Sequence, residues 1–179
     1  MAGSFPFYKE QIREYLTDRF PEKAKVLDVG AGSGTYINLL GYYFKNIEAV
    51  EIYEPNIENY KLRDRYKEVY NINIVNFKYK YYDLIIFGDV IEHLSVEDAQ
   101  NVLEYAYDRC KEMVVAVPYC YKQDEIDGNK YEIHIQDDLT PENVLERYPY
   151  LELLYGNKEY GYYIKRRNNV QSNDKDKDS

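Results

Sequence analysis

The sequence has no tryptophan, two cysteines and two histidines in 179 residues. Cys110 and Cys120 lack metal-ligand spacing, and one pair is too few for the disulfide framework of a small secreted domain. Reduced thiols and a cytoplasmic setting are expected. No stretch approaches the roughly 18 apolar residues of a membrane span, and the N-terminus has no basic region followed by an apolar run. No membrane partner is expected. Positive charge is scarce too: 23 Lys and Arg against 32 Asp and Glu leave a formal charge of -9. A field of that sign repels phosphate backbones, so nucleic acid is not an expected partner either.

What the chain does have is tyrosine, 23 of them, in a composition that is 45% hydrophobic and 31% charged. Tyrosine buries a ring while its hydroxyl finds water or a partner, which makes an aromatic-rich core the simplest use of it. The balance of apolar and charged residues fits one globular domain with a sizeable core, expected over residues 1–167. Asn168 to Ser179 has almost nothing apolar to offset the entropy of ordering, and a disordered polar tail is expected there.

Strands and helices alternate along the sequence. Tyr8, Ile12, Tyr15 and Leu16 share one helical face. Lys25 to Val29 reads as a buried strand that runs into glycines, and Thr35 to Phe44 as a helix facing inward through Ile37, Leu40 and Phe44. Asn46 to Ile52 is a second strand, followed by a helix that starts at Pro55. Val69 to Ile74 is a third strand and Tyr82 to Phe87 a fourth, of the continuous apolar kind found in sheets covered on both faces. Ser95 to Lys111 reads as the clearest helix, with Ser95 and Asp98 resembling a capping box. Met113 to Val117 makes a fifth strand, and Thr140-Pro141 opens a short helix. Tyr150 to Tyr155 and Tyr160 to Lys165, joined by Gly-Asn-Lys, can only be antiparallel. The expected fold is α/β: a doubly wound sheet of seven strands, mostly parallel with a C-terminal antiparallel hairpin.

The strongest chemical signal is Val26 to Gly34 (VLDVGAGSG), where Asp28 precedes Gly30, Gly32 and Gly34 at a strand-to-helix turn. Glycines let the backbone approach a ligand closely, and the helix that follows offers unpaired N–H groups to an anion. A tight turn with incidental glycines is the plain structural alternative. A dinucleotide fingerprint needs Gly-x-Gly-x-x-Gly; counted from Gly30 its last position is Thr35, and counted from Gly32 it is Ile37. Glu51 closes the second strand 21 residues after Gly30, beside the turn at the point where the strand order reverses, and its carboxylate can accept both hydroxyls of a ribose. Glu54 reads instead as a charge favoured by the start of a helix.

These residues resemble the class I S-adenosylmethionine-dependent methyltransferases, particularly the small-molecule subgroup, over about Phe7 to Arg166. The resemblance implies a Rossmann-like sheet in the strand order 3-2-1-4-5-7-6, in which Asp28, Gly30, Gly32 and Gly34 hold the methionine part of the cofactor and Glu51, with Ile52 beside it, holds the ribose. It also covers Asp83 to Leu94 (DLIIFGDVIEHL), in which the stretch from Asp89 and Val90 to His93 would line the cofactor and acceptor pocket. One departure stands out. Where the family carries an acid that reads the adenine amino group, this chain has Asn73, whose amide oxygen can accept the same bond, with Ile74 against the ring edge.

His93 and His134 are the only side chains that change charge near neutrality without a large shift, so both are candidate bases for an acceptor that must lose a proton. His93 follows the fourth strand at its carboxyl end, a usual ligand position in open α/β sheets. A lone histidine is more often structural. The functional expectation is methyl transfer from S-adenosylmethionine to an oxygen or nitrogen of a small acceptor, with no metal required. A protein methyltransferase and a non-catalytic cofactor-binding protein are the alternatives. DNA adenine methylation would need Asn or Asp followed by Pro-Pro and an aromatic residue, where the chain has Gly88 to Ile91 (GDVI).

Overall fold

A computed structural model describes residues 5–167 of the chain; the tail expected to be disordered, residues 168–179, lies outside them. Seven strands form one sheet: β1 (Lys25–Val29), β2 (Asn46–Glu51), β3 (Glu68–Asn71), β4 (Tyr82–Gly88), β5 (Cys110–Pro118), β6 (Glu152–Gly156) and β7 (Tyr160–Arg166). Their order is β3-β2-β1-β4-β5-β7-β6, the order that the family resemblance implies. β1 pairs in parallel with both β2 and β4, and only β7 runs antiparallel to its neighbours β5 and β6.

Among the described residues six α-helices cover the two faces. α1 (Lys9–Arg19), α2 (Thr35–Leu40), α3 (Glu54–Asn59) and α4 (Leu62–Arg65) contribute Ile12, Leu16, Leu40, Ile57 and Leu62 to a core that includes Val26, Ala49, Leu84 and Ile86. On the opposite face α5 (Val96–Tyr107) and α6 (Pro141–Arg147) pack Ala99, Leu103, Ala106 and Val144 against Leu27, Ile85, Phe87 and Val115. Successive residues of a strand point to opposite faces, so a strand covered on both sides must be apolar throughout. That is why β4 contributes Leu84 and Ile86 to one core and Ile85 and Phe87 to the other. Tyrosine completes both cores: Tyr148 and Tyr163 are fully buried on one side, Tyr160 and Tyr162 on the other.

Several expected boundaries move, for local reasons. The helix expected over Thr35 to Phe44 ends at Leu40, and it turns Tyr36 inward with Leu40 while Ile37 is only half-buried. The helix expected to reach Lys111 stops at Tyr107, because Cys110 already pairs with Tyr82 at the start of β5; its apolar spacing fits either element. The helix from Pro55 divides into α3 and α4, separated by Tyr60 and a left-handed Lys61 at φ 51°. β3 ends at Asn71, so Asn73 and Ile74 fall in a following loop and single 3-10 turn. The hairpin strands begin and end within two residues of expectation.

One buried charge ties α1 to the sheet. Glu112 of β5 is 2% exposed and accepts from Tyr15 Oη at 2.5 Å and from the Arg19 guanidinium at 2.8 and 3.1 Å. Arg166 of β7 adds an ion pair at 3.6 Å. Removing one member of such a cluster strands the others, and hydrogen bonds to charged groups contribute about 1.5 to 3 kcal/mol. Glu112→Ala should lower the unfolding free energy measured in urea by about 2 to 3 kcal/mol, while Glu14→Ala on the same helix should change it little.

Candidate active site

The carboxyl ends of β1, β2 and β4 open onto a cavity of about 950 Å3, lined also by the loop after β3 and the long segment after β5. Its floor is the glycine turn. Gly30 N and Ala31 N both donate to Val50 O, at 2.8 and 3.2 Å, so the turn leaves β1 already anchored to β2. Gly30 and Gly32 have φ of 69° and 51°, a left-handed conformation costly to residues with a Cβ. At Gly30 a Cβ would meet Val90 Cγ2 at 2.6 Å, whereas at Gly32 its closest neighbour is Gly30 O at 3.8 Å. The space above Gly32 is thus open to a ligand, and any side chain there would occupy it.

The expected cofactor residues divide into two groups. Gly30, Gly32, Glu51, Ile52, Asn73, Ile74, Asp89 and Val90 all line the cavity, as do His93 and His134. Asp28 and Gly34 do not. Gly34 packs against the Arg65 guanidinium, which donates to Ser33 O and Gly34 O at 3.2 Å and to Asn38 Oδ1 at 2.6 Å. Asp28 is 1% exposed beneath the turn, and its Oδ2 accepts from Tyr66 Oη at 2.5 Å. Burial is the main force raising its carboxyl to about 7, partly opposed by the Tyr66 hydrogen bond.

Glu51 stands at the cavity wall, 5% exposed, and accepts from Gly32 N at 2.7 Å and Tyr53 N at 2.8 Å. Burial raises its carboxyl above the ordinary range against these bonds. Ile52 N and the Asn56 side chain also favour its charged form. Asn73 caps the 3-10 turn Ile74–Asn76, its Oδ1 accepting from Val75 N at 3.0 Å. That bond aims the amide at the cavity rim and occupies one of its oxygen's two lone pairs.

Beyond β4 the chain bends sharply at Asp89, whose φ is 58°, into a 3-10 turn over Ile91–His93. The segment from Ile133 to Gln136 is fastened to this turn. Ile135 N and Gln136 N donate to Glu92 O at 2.8 and 2.9 Å, and Gln136 Nε2 donates to Ile91 O and Leu94 O. The two histidine rings meet edge to face, their centroids 4.7 Å apart. Each uses Nδ1 on a backbone carbonyl, His93 on Ile133 O at 3.1 Å and His134 on Tyr121 O at 2.6 Å. A carbonyl accepts, so each ring donates through Nδ1, and the His93 ring also makes a backbone hydrogen bond at Asp89. Burial, aided by the facing His134, pulls His93 down to about 4, and burial lowers His134 as well. Both are neutral at pH 7.

Residues 5–132 match the family described as methyltransferase domain. The chain belongs to that family. Among solved structures this methyltransferase is similar in fold to the methyltransferase domain of bacterial CtHen1, with 20% identity, a TM-score of 0.65, and coverage of 89% of this chain and 97% of the other. It is similar also to an S-adenosylmethionine-dependent methyltransferase from Clostridium acetobutylicum, at 14% identity and a TM-score of 0.68 over 92% of each chain. A SAM-dependent methyltransferase from Archaeoglobus fulgidus gives 17% identity and a TM-score of 0.67 over 92% of this chain and 95% of that one. No curated protein matches by sequence. Among the described residues no helix is long and apolar enough to cross a membrane.

Some site residues were not anticipated. Gly88 ends β4 where a Cβ would collide with the Tyr36 ring, and Tyr36 reaches across to Tyr162 Oη at 3.2 Å. Lys9, on α1, donates to Tyr162 Oη at 2.8 Å, and burial lowers its ammonium to about 8 against the attraction of Asp89 and Asp28. Only the position of Gly88 before Asp89 could have been noticed in sequence.

The raised carboxyl of Asp28 sets a pH dependence. Its folded pKa, about 7, lies above the ordinary value of 3.8, so the folded state holds a proton that the unfolded state has lost. Its contribution to stability therefore falls as pH rises from about 4 to 7. Urea unfolding at pH 5 and pH 8 should show the wild type losing stability over that interval and Asp28→Asn losing distinctly less.

Proposed function

We propose that this methyltransferase binds S-adenosylmethionine in the β1–β2–β4 cavity and transfers its methyl group to an oxygen or nitrogen of a small molecule. The observation that carries the reading is the open cradle above Gly32, flanked by Glu51. The methionine part would lie on Gly30 to Gly32 with its carboxylate toward the N-terminal turn of α2, and the ribose hydroxyls would donate to Glu51. Ile52, Asn73 and Ile74 would hold the adenine, with Asn73 accepting from the amino group through its remaining lone pair. Asp89 and Val90 would flank the sulfonium end. Asp28 and Gly34 would act from beneath, by fixing the shape of the turn. One domain over residues 1–167 suffices for this arrangement.

A cavity near 950 Å3 holds a cofactor together with a small acceptor, within the usual size of such sites. The acceptor side is the wall formed by His93 and His134. Displacement at a sulfonium carbon expels a neutral thioether, so alignment of the nucleophile supplies most of the acceleration. Both imidazoles, being neutral, can take part in removing the acceptor's proton. His93, at about 4, is a weak base for that task, because general bases work best near the operating pH.

Calorimetric titration with S-adenosylmethionine tests the donor site. Gly32→Val should abolish binding, because its side chain fills the open space and its Cβ strains a turn held at φ 51°. Glu51→Ala should weaken binding about tenfold or more, the worth of a charge-assisted contact of roughly 1.5 to 3 kcal/mol. Unchanged affinity in both variants contradicts the assignment. Asn73→Asp should bind as well as the wild type or better, and a large loss there would exclude Asn73 from the adenine pocket. Tight binding with no methylated product from any small acceptor would leave a cofactor-binding protein rather than an enzyme.

A further inference from the structure

Glu92 is 0% exposed, yet neither of its carboxyl oxygens has a hydrogen-bond partner. Leaving a buried carboxyl unsatisfied is costly, and native structures seldom do so without a purpose. Its backbone is held firmly, because its carbonyl accepts from both Ile135 N and Gln136 N. The unsatisfied group therefore does not result from a loose chain. It lines the cavity beside His93 and His134, and one ligand atom from each of the three residues lies within 4.8 Å of the others.

The donor chemistry of the cluster is one-sided. Each imidazole sets Nδ1 on a backbone carbonyl, the His93 ring lies against the Asp89 backbone as well, and a ring nitrogen of each is within 4.8 Å of the Glu92 carboxyl. A ring nitrogen fixed by a carbonyl on its far side is the usual outer support of a metal-bound histidine. Two imidazoles and a buried carboxyl group thus converge, and Asp89 adds negative field at His134.

We propose that Glu92, His93 and His134 bind one divalent transition-metal cation on the acceptor side of the cavity, and that this cation holds an acceptor offering a hydroxyl oxygen. Two histidines and one carboxylate are a ligand set for Zn2+ or Fe2+ with coordination positions left open. Tetrahedral ligands about 2.1 Å from a metal lie roughly 3.4 Å apart, so the three side chains close by about an ångström around the ion. A hydroxyl bound in an open position becomes more acidic, as metal-bound water does, and its proton leaves to solvent. The resulting oxygen attacks the methyl carbon: an O–C bond forms, the C–S bond breaks, and its electron pair stays on sulfur as a neutral thioether. The histidines then act as ligands, and no imidazole is needed as the base. The acceptor half of this inference rests on the donor reading above, and the cation half does not.

The test uses the full chain stripped with EDTA and titrated with Co2+, followed by its visible ligand-field absorption. The wild type should saturate at one Co2+ per chain, Zn2+ should displace it, and Cys120→Ser should behave identically. His134→Ala, at a half-exposed position, and Glu92→Gln should each weaken Co2+ binding at least tenfold while circular dichroism stays unchanged. No stoichiometric binding by the wild type, or wild-type affinity in a folded His134→Ala variant, overturns the site. If Co2+ binds but turnover of hydroxyl acceptors is the same with and without EDTA, the acceptor half fails. If Co2+ binds while S-adenosylmethionine does not, the donor reading fails and the cation site stands.

Discussion

The parallel pairing of β1 between β2 and β4 is the constraint from which the site follows. That register sets Asp28 opposite Ala49 and Ile86 and brings the three carboxyl ends out together. Connections leave in opposite directions on the two sides of β1, so a crevice opens where the strand order reverses. Gly30 and Ala31 extend the ladder by sharing Val50 O, which holds the glycine turn as rigidly as the strand. Glu51 then reaches back to Gly32 N, and Val90, after β4, packs into the space left by the missing Cβ of Gly30. Each contact needs the others in register. A one-residue slip of β1 would reverse its faces and remove all of them.

Around this crevice the protein gathers carboxyl groups whose charged form burial disfavours. Burial raises Asp28, Glu51 and Glu92 above the ordinary carboxyl range, and Glu132 is raised too. Such groups favour a cation over water. In the proposed site a donor carrying a sulfonium and an ammonium would stabilise the charged carboxylates near Glu51 and Asp89, and a divalent ion would do so near Glu92. The same groups disfavour phosphate-bearing ligands, in agreement with a glycine run that departs from the dinucleotide spacing at Thr35 and Ile37. Desolvated carboxylates, rather than basic side chains, give this cavity its selectivity.

The glycine run and the strand alternation were legible in sequence because each depends on a local rule: period-two burial for β4, positive φ at Gly30 and Gly32, and a strand-end acid at Glu51. The hairpin strands and the caps at Ser95 and Thr140 follow from equally local chemistry. What sequence could not show is pairing across distance. Asn73 looked like a strand end, but β3 stops at Asn71 and the asparagine caps a turn instead. Asp28 looked like a direct ligand, but Tyr66, 38 residues away, holds it under the turn. His93 and His134 were each visible as possible bases. Their apposition depends on the backbone bonds from Ile135 and Gln136 to Glu92, which no periodicity encodes, and Glu92 itself gave no signal beyond its place before His93.

Thermal unfolding with S-adenosylmethionine, its demethylated product and NAD in parallel tests the central claim most directly, because a ligand stabilises the state that binds it. At a hundred times Kd the gain is about 2.7 kcal/mol, or roughly 5 to 10 °C for a chain of this size. S-adenosylmethionine and its product should both raise Tm by that order, and NAD should leave it unchanged. A shift with NAD, or none with either sulfur compound, would contradict the account.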